Sequence, residues 1–369
     1  MTTTDIVTLD VSPAAVTALD PLDVDSRLPR LWEMNARADV DALASLLRDS
    51  LPADDRLAGF SLPESLAAMR DLGLIVGSLR RHGAEPVETV REAEPVLLAL
   101  GARTGMIPRD TVHHYCTWNP VGARERLFTG EPMERALVAS VREPMPALAA
   151  AIEAGSRLAE LDPRQPDFAQ GAQQLAETLL ALEDSIDSVT ANVTPEFFAL
   201  TMRPYFVSKV RVGDGSYVGP AAAHVPVPLI DLQLWASDHA TSGYRDYWRG
   251  VAQYGLPQWR RCYEEFADRP SLVTRTAAAL AEVGGSPARS AAAVTSSARE
   301  LARSLRALVV FRGKHLTIAR RTYTPELLPD TGLVAHRGGL ALLDELLLLT
   351  RRNAALVPTA TGTEITGER

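Results

Sequence analysis

The chain has 369 residues, 46% hydrophobic and 23% charged, with a formal net charge of −8. That suits a soluble globular protein of one large domain or two smaller ones. The acidic balance argues against nucleic acid as the main partner, because phosphate binding calls for a basic face. Two cysteines, Cys116 and Cys262, do not make a secreted disulfide framework. Met1 to Asp10 shows neither a basic nor an apolar signal region. The apolar run Leu340–Leu349 is broken by Asp344 and Glu345 and is far shorter than the roughly 20 residues of a membrane span. The expected setting is the reduced cytoplasm, with no membrane partner.

In chain order, residues 1–30 mix Thr, Asp and Pro and are expected to be flexible. Helical periodicity follows at 31–49, 63–82 and 86–101. From Gly101 to Gly130 the pattern is irregular, with Pro108, Pro120 and the cluster His113-His114-Tyr115-Cys116-Thr117-Trp118. A long helix over 131–161 is expected to be interrupted near Pro144 and Pro146, and Asp162-Pro163 stops it. Further helices are expected at 168–189, 192–205, 229–238, 242–255, 257–267, 271–283, 287–323 and 339–354. Residues 213–228 form the longest internal Gly/Pro-rich stretch. No βαβ alternation or internal repeat is visible. The expected fold class is all-α, with a small helical domain over 31–125, a large one over 126–356 and a disordered tail over 357–369.

Familiar motifs fail. Gly213-Asp-Gly215 opens a near-match to a dinucleotide loop, but prolines follow where its helix should begin. His113, His114 and Cys116 lack a second Cys/His pair at zinc spacing, which favours a packing role. The segment Ser296–Tyr323 is more informative. On a helix, Leu301, Leu305, Leu308, Phe311/Arg312, His315 and Ala319 share one stripe. His315 therefore faces inward from an apolar wall, where a neutral imidazole can either ligate haem iron or simply hydrogen-bond a carbonyl.

Several segments, taken together, resemble the indoleamine/tryptophan 2,3-dioxygenase superfamily. Leu305–Tyr323 resembles its proximal-histidine helix. Thr194-Pro-Glu-Phe197-Phe198-Ala-Leu-Thr-Met-Arg203-Pro-Tyr205 is similar to the segment that supplies a distal aromatic and a carboxylate-binding arginine. Phe128-Thr-Gly-Glu, leading to Ser140 and Glu143, resembles the first distal helix. His336-Arg337-Gly338-Gly339 stands where the family has a glycine-rich loop closing over substrate. Within the superfamily, Gly219–Asp238 and Tyr323-Thr-Pro-Glu-Leu-Leu-Pro look most like the monodechloroaminopyrrolnitrin synthase branch.

The resemblance implies a two-domain helical fold holding haem b, with His315 as axial iron ligand and Arg312 near a propionate. It implies an indole substrate bound by Arg203, Phe197, Phe198, Tyr323, Gly338 and Gly339, and places His224 and Ser140 at the catalytic distal face. His224 stands where a glutamine-like residue is expected, and Ala139 competes with Ser140 for the serine register. The expected activity is oxidation of tryptophan or a derivative by dioxygen or peroxide, with possible rearrangement to an aminophenylpyrrole, in a monomer or weak dimer. The residues leave open a 2,3-dioxygenase forming N-formylkynurenine, a non-catalytic haem or gas binder, and a cofactor-free helical interaction protein. Read singly, Arg203 equally suits a structural salt bridge, the Phe197–Phe198 pair a core, and Tyr323 a turn anchor.

Overall fold

Val16 is fully buried inside the short helix α1 (Pro13–Thr17), which begins on a capping hydrogen bond from Ala15 N–H to the Ser12 hydroxyl. The computed structural model describes residues 9–221, 226–282, 288–325, 327 and 333–357; the side chains at 288–290 and 333–338 lie outside that description. From Leu9 onward the described N-terminal residues pack against the rest of the protein. Arg70 donates to the carbonyls of Val16 and Leu19, and Arg124 to those of Thr17 and Leu19. Side-chain donors far along the chain hold this segment down, and no local periodicity reveals them.

The expected helix over 31–49 divides into α2 (Leu31–Arg37) and α3 (Val40–Ser50) at Ala38, whose φ is +51°. After α4 (Asp54–Gly59) comes α5 (Leu62–Arg81), opened by a Ser61/Glu64 capping box. It is buried on nearly every side. Gly73 lets the next layer close on it, since a Cβ there would lie 2.2 Å from the Asp110 Cβ. Then follow α6 (Pro86–Thr89), α7 (Ala93–Thr104), a π-helical turn at His113–Thr117, α8 (Pro132–Arg142) and α9 (Met145–Glu160). The break between α8 and α9 falls at the prolines, as expected.

Helices α10 (Pro166–Leu179) and α11 (Ala181–Asn192) meet at Leu180. A π-helical turn, Phe197–Met202, runs into α12 (Arg203–Val207). The Gly-rich stretch then forms a hairpin that periodicity did not reveal: β1 (Val210–Val212) pairs antiparallel with β2 (Gly215–Tyr217), Val210 opposite Tyr217. Gly213 takes its turn at φ +56°. Next come α13 (Val227–Asp231), a π-helical turn at Leu232–Ala236, α14 (Ser237–His239), α15 (Ser242–Ala252), α16 (Pro257–Phe266) and α17 (Leu272–Glu282). The 35-residue α18 (Ala288–Thr322) and α19 (Leu333–Ala354) complete the fold.

Among the described residues the architecture is all-α, 73% helical with two short strands. Helix α18 is its axis, packed against α10, α11, α17 and α19. One apolar cluster runs from Leu22 to Val357. Polar links also join the N-terminal part to the rest: Trp32 Nε1–H donates to Leu127 O (3.0 Å), Asn35 to Phe128 O (2.8 Å) and the Tyr115 hydroxyl to Glu134 (2.5 Å). No helix among the described residues is long and apolar enough to cross a membrane.

Candidate functional site

The stripe read from the sequence is the buried face of α18. Leu301, Leu305 and Leu308 are fully buried, and Arg312, Leu316 and Ala319 nearly so. His315 is half-buried, with its ring 5.7 Å from that of Phe311. Desolvation, followed by the charge of Arg312, lowers its pKa to about 4. The imidazole is therefore neutral near pH 7 and keeps a lone pair. Among the described residues no hydrogen bond is made to either ring nitrogen, so no such carbonyl satisfies it. A neutral, unengaged imidazole in an apolar wall is the donor that haem iron takes.

Arg312, one turn earlier, points into the protein. Its Nη2 is paired with the Asp231 carboxylate and its Nη1 donates to the Thr350 hydroxyl. Asp231 also accepts from the Tyr244 hydroxyl at 2.5 Å and from the Trp235 indole N–H at 3.0 Å. The Asp231, Trp235, Tyr244 and Thr350 side chains are all fully buried, and burial with the Asp231 charge pushes the Tyr244 phenol well up. This one carboxylate therefore ties α13, α15 and α18 together, with α19 reached through Thr350. Sequence reasoning missed the hub. The available signal was a lone aspartate in the apolar run 226–236, with Trp235 one helical turn beyond it.

Arg203 and Tyr323 meet, although 120 positions separate them. The Arg203 guanidinium carbon lies 5.6 Å from the Tyr323 ring centroid, a cation–π distance. Both side chains are half-buried. Among the described residues no carboxylate reaches Arg203, so its charge is not engaged in an ion pair there. Phe197 belongs to the core, and its N–H donates to the Thr194 hydroxyl at 3.2 Å. Phe198 is half-buried, 6.4 Å from the Phe206 ring. The turn carrying both is π-helical, a local widening common at functional sites.

Ser140 is buried on α8. Its hydroxyl donates to Leu137 O at 2.8 Å, and its own carbonyl accepts from the Ser185 hydroxyl of α11. Helix α11 lies between α8 and α18: Lys314 also reaches Glu183 and Asp187, at 2.7 Å each. Gly338 and Gly339 fall inside α19 rather than in the expected loop; Gly339 is exposed with open space beside it. His224 lies outside the described residues.

The N-terminus of α8 is fixed by Glu134, fully buried. Its carboxylate accepts from the Tyr115 hydroxyl (2.5 Å), Phe128 N–H (2.6 Å), Thr129 N–H (2.7 Å), the Thr129 hydroxyl (2.6 Å) and Gly130 N–H (3.1 Å). Phe128 in turn stacks on Tyr205 at 4.1 Å, which joins α8 to α12. His113 and His114 pack against Trp118 at 5.7 and 4.8 Å. His114 Nδ1 accepts from Thr111 N–H, and burial raises the Cys116 thiol to about 12. No metal-holding cluster of His, Cys, Asp and Glu occurs among the described residues.

The helical fold, with a family match over most of the chain, sets the class: an enzyme of the haem-dependent tryptophan dioxygenase superfamily. A family model described as "Monodechloroaminopyrrolnitrin synthase PrnB" matches residues 14–356, and the chain belongs to that family. Its members are haem-dependent enzymes that modify tryptophan oxidatively in secondary metabolism.

Proposed function

We propose that this enzyme oxidises the indole ring of tryptophan or a tryptophan derivative, with rearrangement toward an aminophenylpyrrole, using haem b held through His315. The observation that carries this reading is the family match over residues 14–356. His315, whose imidazole is neutral, would hold the haem iron, because that iron takes an uncharged imidazole. When bound, haem supplies the iron centre that activates dioxygen or peroxide. The protein's part is to bind, orient and shield the substrate.

In this reading the Arg203 guanidinium holds the substrate carboxylate through its planar fork. Tyr323, stacked on that guanidinium, holds its plane. Phe197 and Phe198 supply an aromatic wall for the indole. Ser140 and His224 serve the distal side, His224 as a proton donor or acceptor, and Gly338 and Gly339 border the substrate. Arg312, through Asp231 and Thr350, fixes the register of α18 one turn from His315 and lowers that ring's basicity.

The test is the absorption spectrum of protein expressed with haem precursor, beside that of His315→Ala. A Soret band that shifts on reduction and carbon monoxide binding, and collapses in the variant, supports the assignment. A wild type that stays colourless and takes up no added haemin sinks it. Product masses from tryptophan analogues then separate a pyrrole from N-formylkynurenine.

A further inference from the structure

Oxidisable rings are gathered in one part of the chain. Three of the five tryptophans and four of the eight tyrosines fall within residues 235–263, and none of the eight phenylalanines does. Phenylalanine fills an apolar core equally well, but it holds its electrons far more tightly than an indole or a phenol does.

Three of these rings form a stack. Trp235 and Tyr244 lie 5.6 Å apart with 12° between their planes, and Tyr244 and Tyr247 lie 6.0 Å apart at 17°. These are contact distances for offset rings. Alongside, Trp248 stacks on Tyr263 of α16 at 5.4 Å and 8°. Electron transfer falls off exponentially with the gap to be crossed, so touching rings pass an electron far faster than a path through backbone and aliphatic side chains.

The stack has an inner and an outer end. Trp235 and Tyr244 are fully buried. Both donate to Asp231, whose carboxylate pairs with Arg312, one turn before His315 on α18. Tyr247, on α15 three residues beyond Tyr244, is only half-buried. The rings therefore lead from the hub beside His315 toward the surface.

We propose that Trp235, Tyr244 and Tyr247 form an electron relay that carries oxidising equivalents away from the haem site when peroxide reacts there without substrate. The proposal rests on the haem reading of His315. One peroxide takes up two electrons and two protons and becomes two waters. Tyr244 and Tyr247 each give one electron and one phenolic proton and become phenoxyl radicals. Trp235 hands each electron inward and is refilled from Tyr244. The Tyr244 proton passes to Asp231, which accepts its hydrogen bond at 2.5 Å, and the Tyr247 proton passes to solvent. A surface reductant of the ascorbate class returns two electrons and two protons and restores both phenols. The relay spares the haem and its nearest side chains from that oxidation.

The experiment mixes full-length haem-loaded protein with hydrogen peroxide, without substrate, and freezes it for electron paramagnetic resonance. The Soret band is recorded first: a protein that takes up no haem sinks the haem reading itself, and the relay with it. With the Soret band present, a phenoxyl signal is expected, altered in line shape by ring-deuterated tyrosine and abolished by ascorbate. Peptide mass spectrometry should then place the oxidation at Tyr244 and Tyr247. Tyr247→Phe keeps the ring and removes the phenol. It should lose the Tyr247 share of the signal, and peroxide should bleach its Soret band several-fold faster. Tyr217→Phe, in the hairpin and outside the stack, should match wild type in both. A Soret band with no phenoxyl signal overturns the relay alone. So does oxidation mapped to tyrosines outside the stack, or a Tyr247→Phe signal and bleaching rate equal to wild type.

Discussion

Replacing Asp231 by asparagine keeps the side chain's shape and removes its charge. The Arg312 guanidinium, 3% exposed, would then be buried without a counter-charge. Truncating one partner of a buried ion pair typically costs about 3–5 kcal/mol. The Tyr244 hydroxyl would also lose its charged acceptor, because the amide NH2 then stands where Oδ2 was, a loss of roughly 1 kcal/mol. Asparagine retains one acceptor for the Trp235 indole, so the lower end of the range, about 3 kcal/mol, is expected. The assay is urea unfolding of the haem-free protein, read as a fall in midpoint at constant slope. The double variant Asp231→Leu/Arg312→Met removes both charges and should recover most of the loss, since well-packed hydrophobic residues often replace a buried pair at no net cost. A loss below about 1 kcal/mol in Asp231→Asn, or a double variant no better than the single, would refute the view that this carboxylate compensates Arg312.

Three further outcomes are expected. Arg203→Ala should leave the melting temperature within about 1 °C, because Arg203 makes no ion pair among the described residues, yet weaken binding of indole acids by roughly tenfold or more; indoles lacking the carboxylate should bind both proteins alike, as followed by spectral titration. Glu134→Gln turns an amide NH2 toward donors and should cost about 2–4 kcal/mol, against about 1 kcal/mol for Tyr115→Phe, both measured by urea unfolding. Acidification should destabilise through His114: burial first, then the charges of His113 and Arg70, hold its pKa well below 6.5. The unfolded chain therefore takes up this proton first, and stability falls below about pH 6.5 by up to about 1.4 kcal/mol per unit. Unfolding curves of wild type and His114→Gln at pH 7 and pH 5.5 check this, with the variant losing less.

The α18 stripe was legible because a long amphipathic helix writes its buried face into a 3.6-residue period, and His315 could be placed on that face before any contact was known. Prolines likewise marked some ends: the α8–α9 break at Pro144 is local chemistry. The superfamily was legible through four segments in order, although each alone was weak. The hairpin at 210–217 was not, because three-residue strands give too short an alternation to detect. Nor was the packing of residues 9–25, which hangs on Arg70 and Arg124.

The sequence by itself determined the all-α class, the inward position of His315 and the segments that resemble a haem enzyme, since these depend on local period and residue type. Only the tertiary structure decided that Arg312 bonds Asp231 and Thr350, that Arg203 faces Tyr323, and that Glu134 gathers five donors around the start of α8. Polar partners of a buried group can come from any distance along the chain, and only packing fixes which of them meet. Burial then makes each unmet hydrogen bond costly enough to specify the choice.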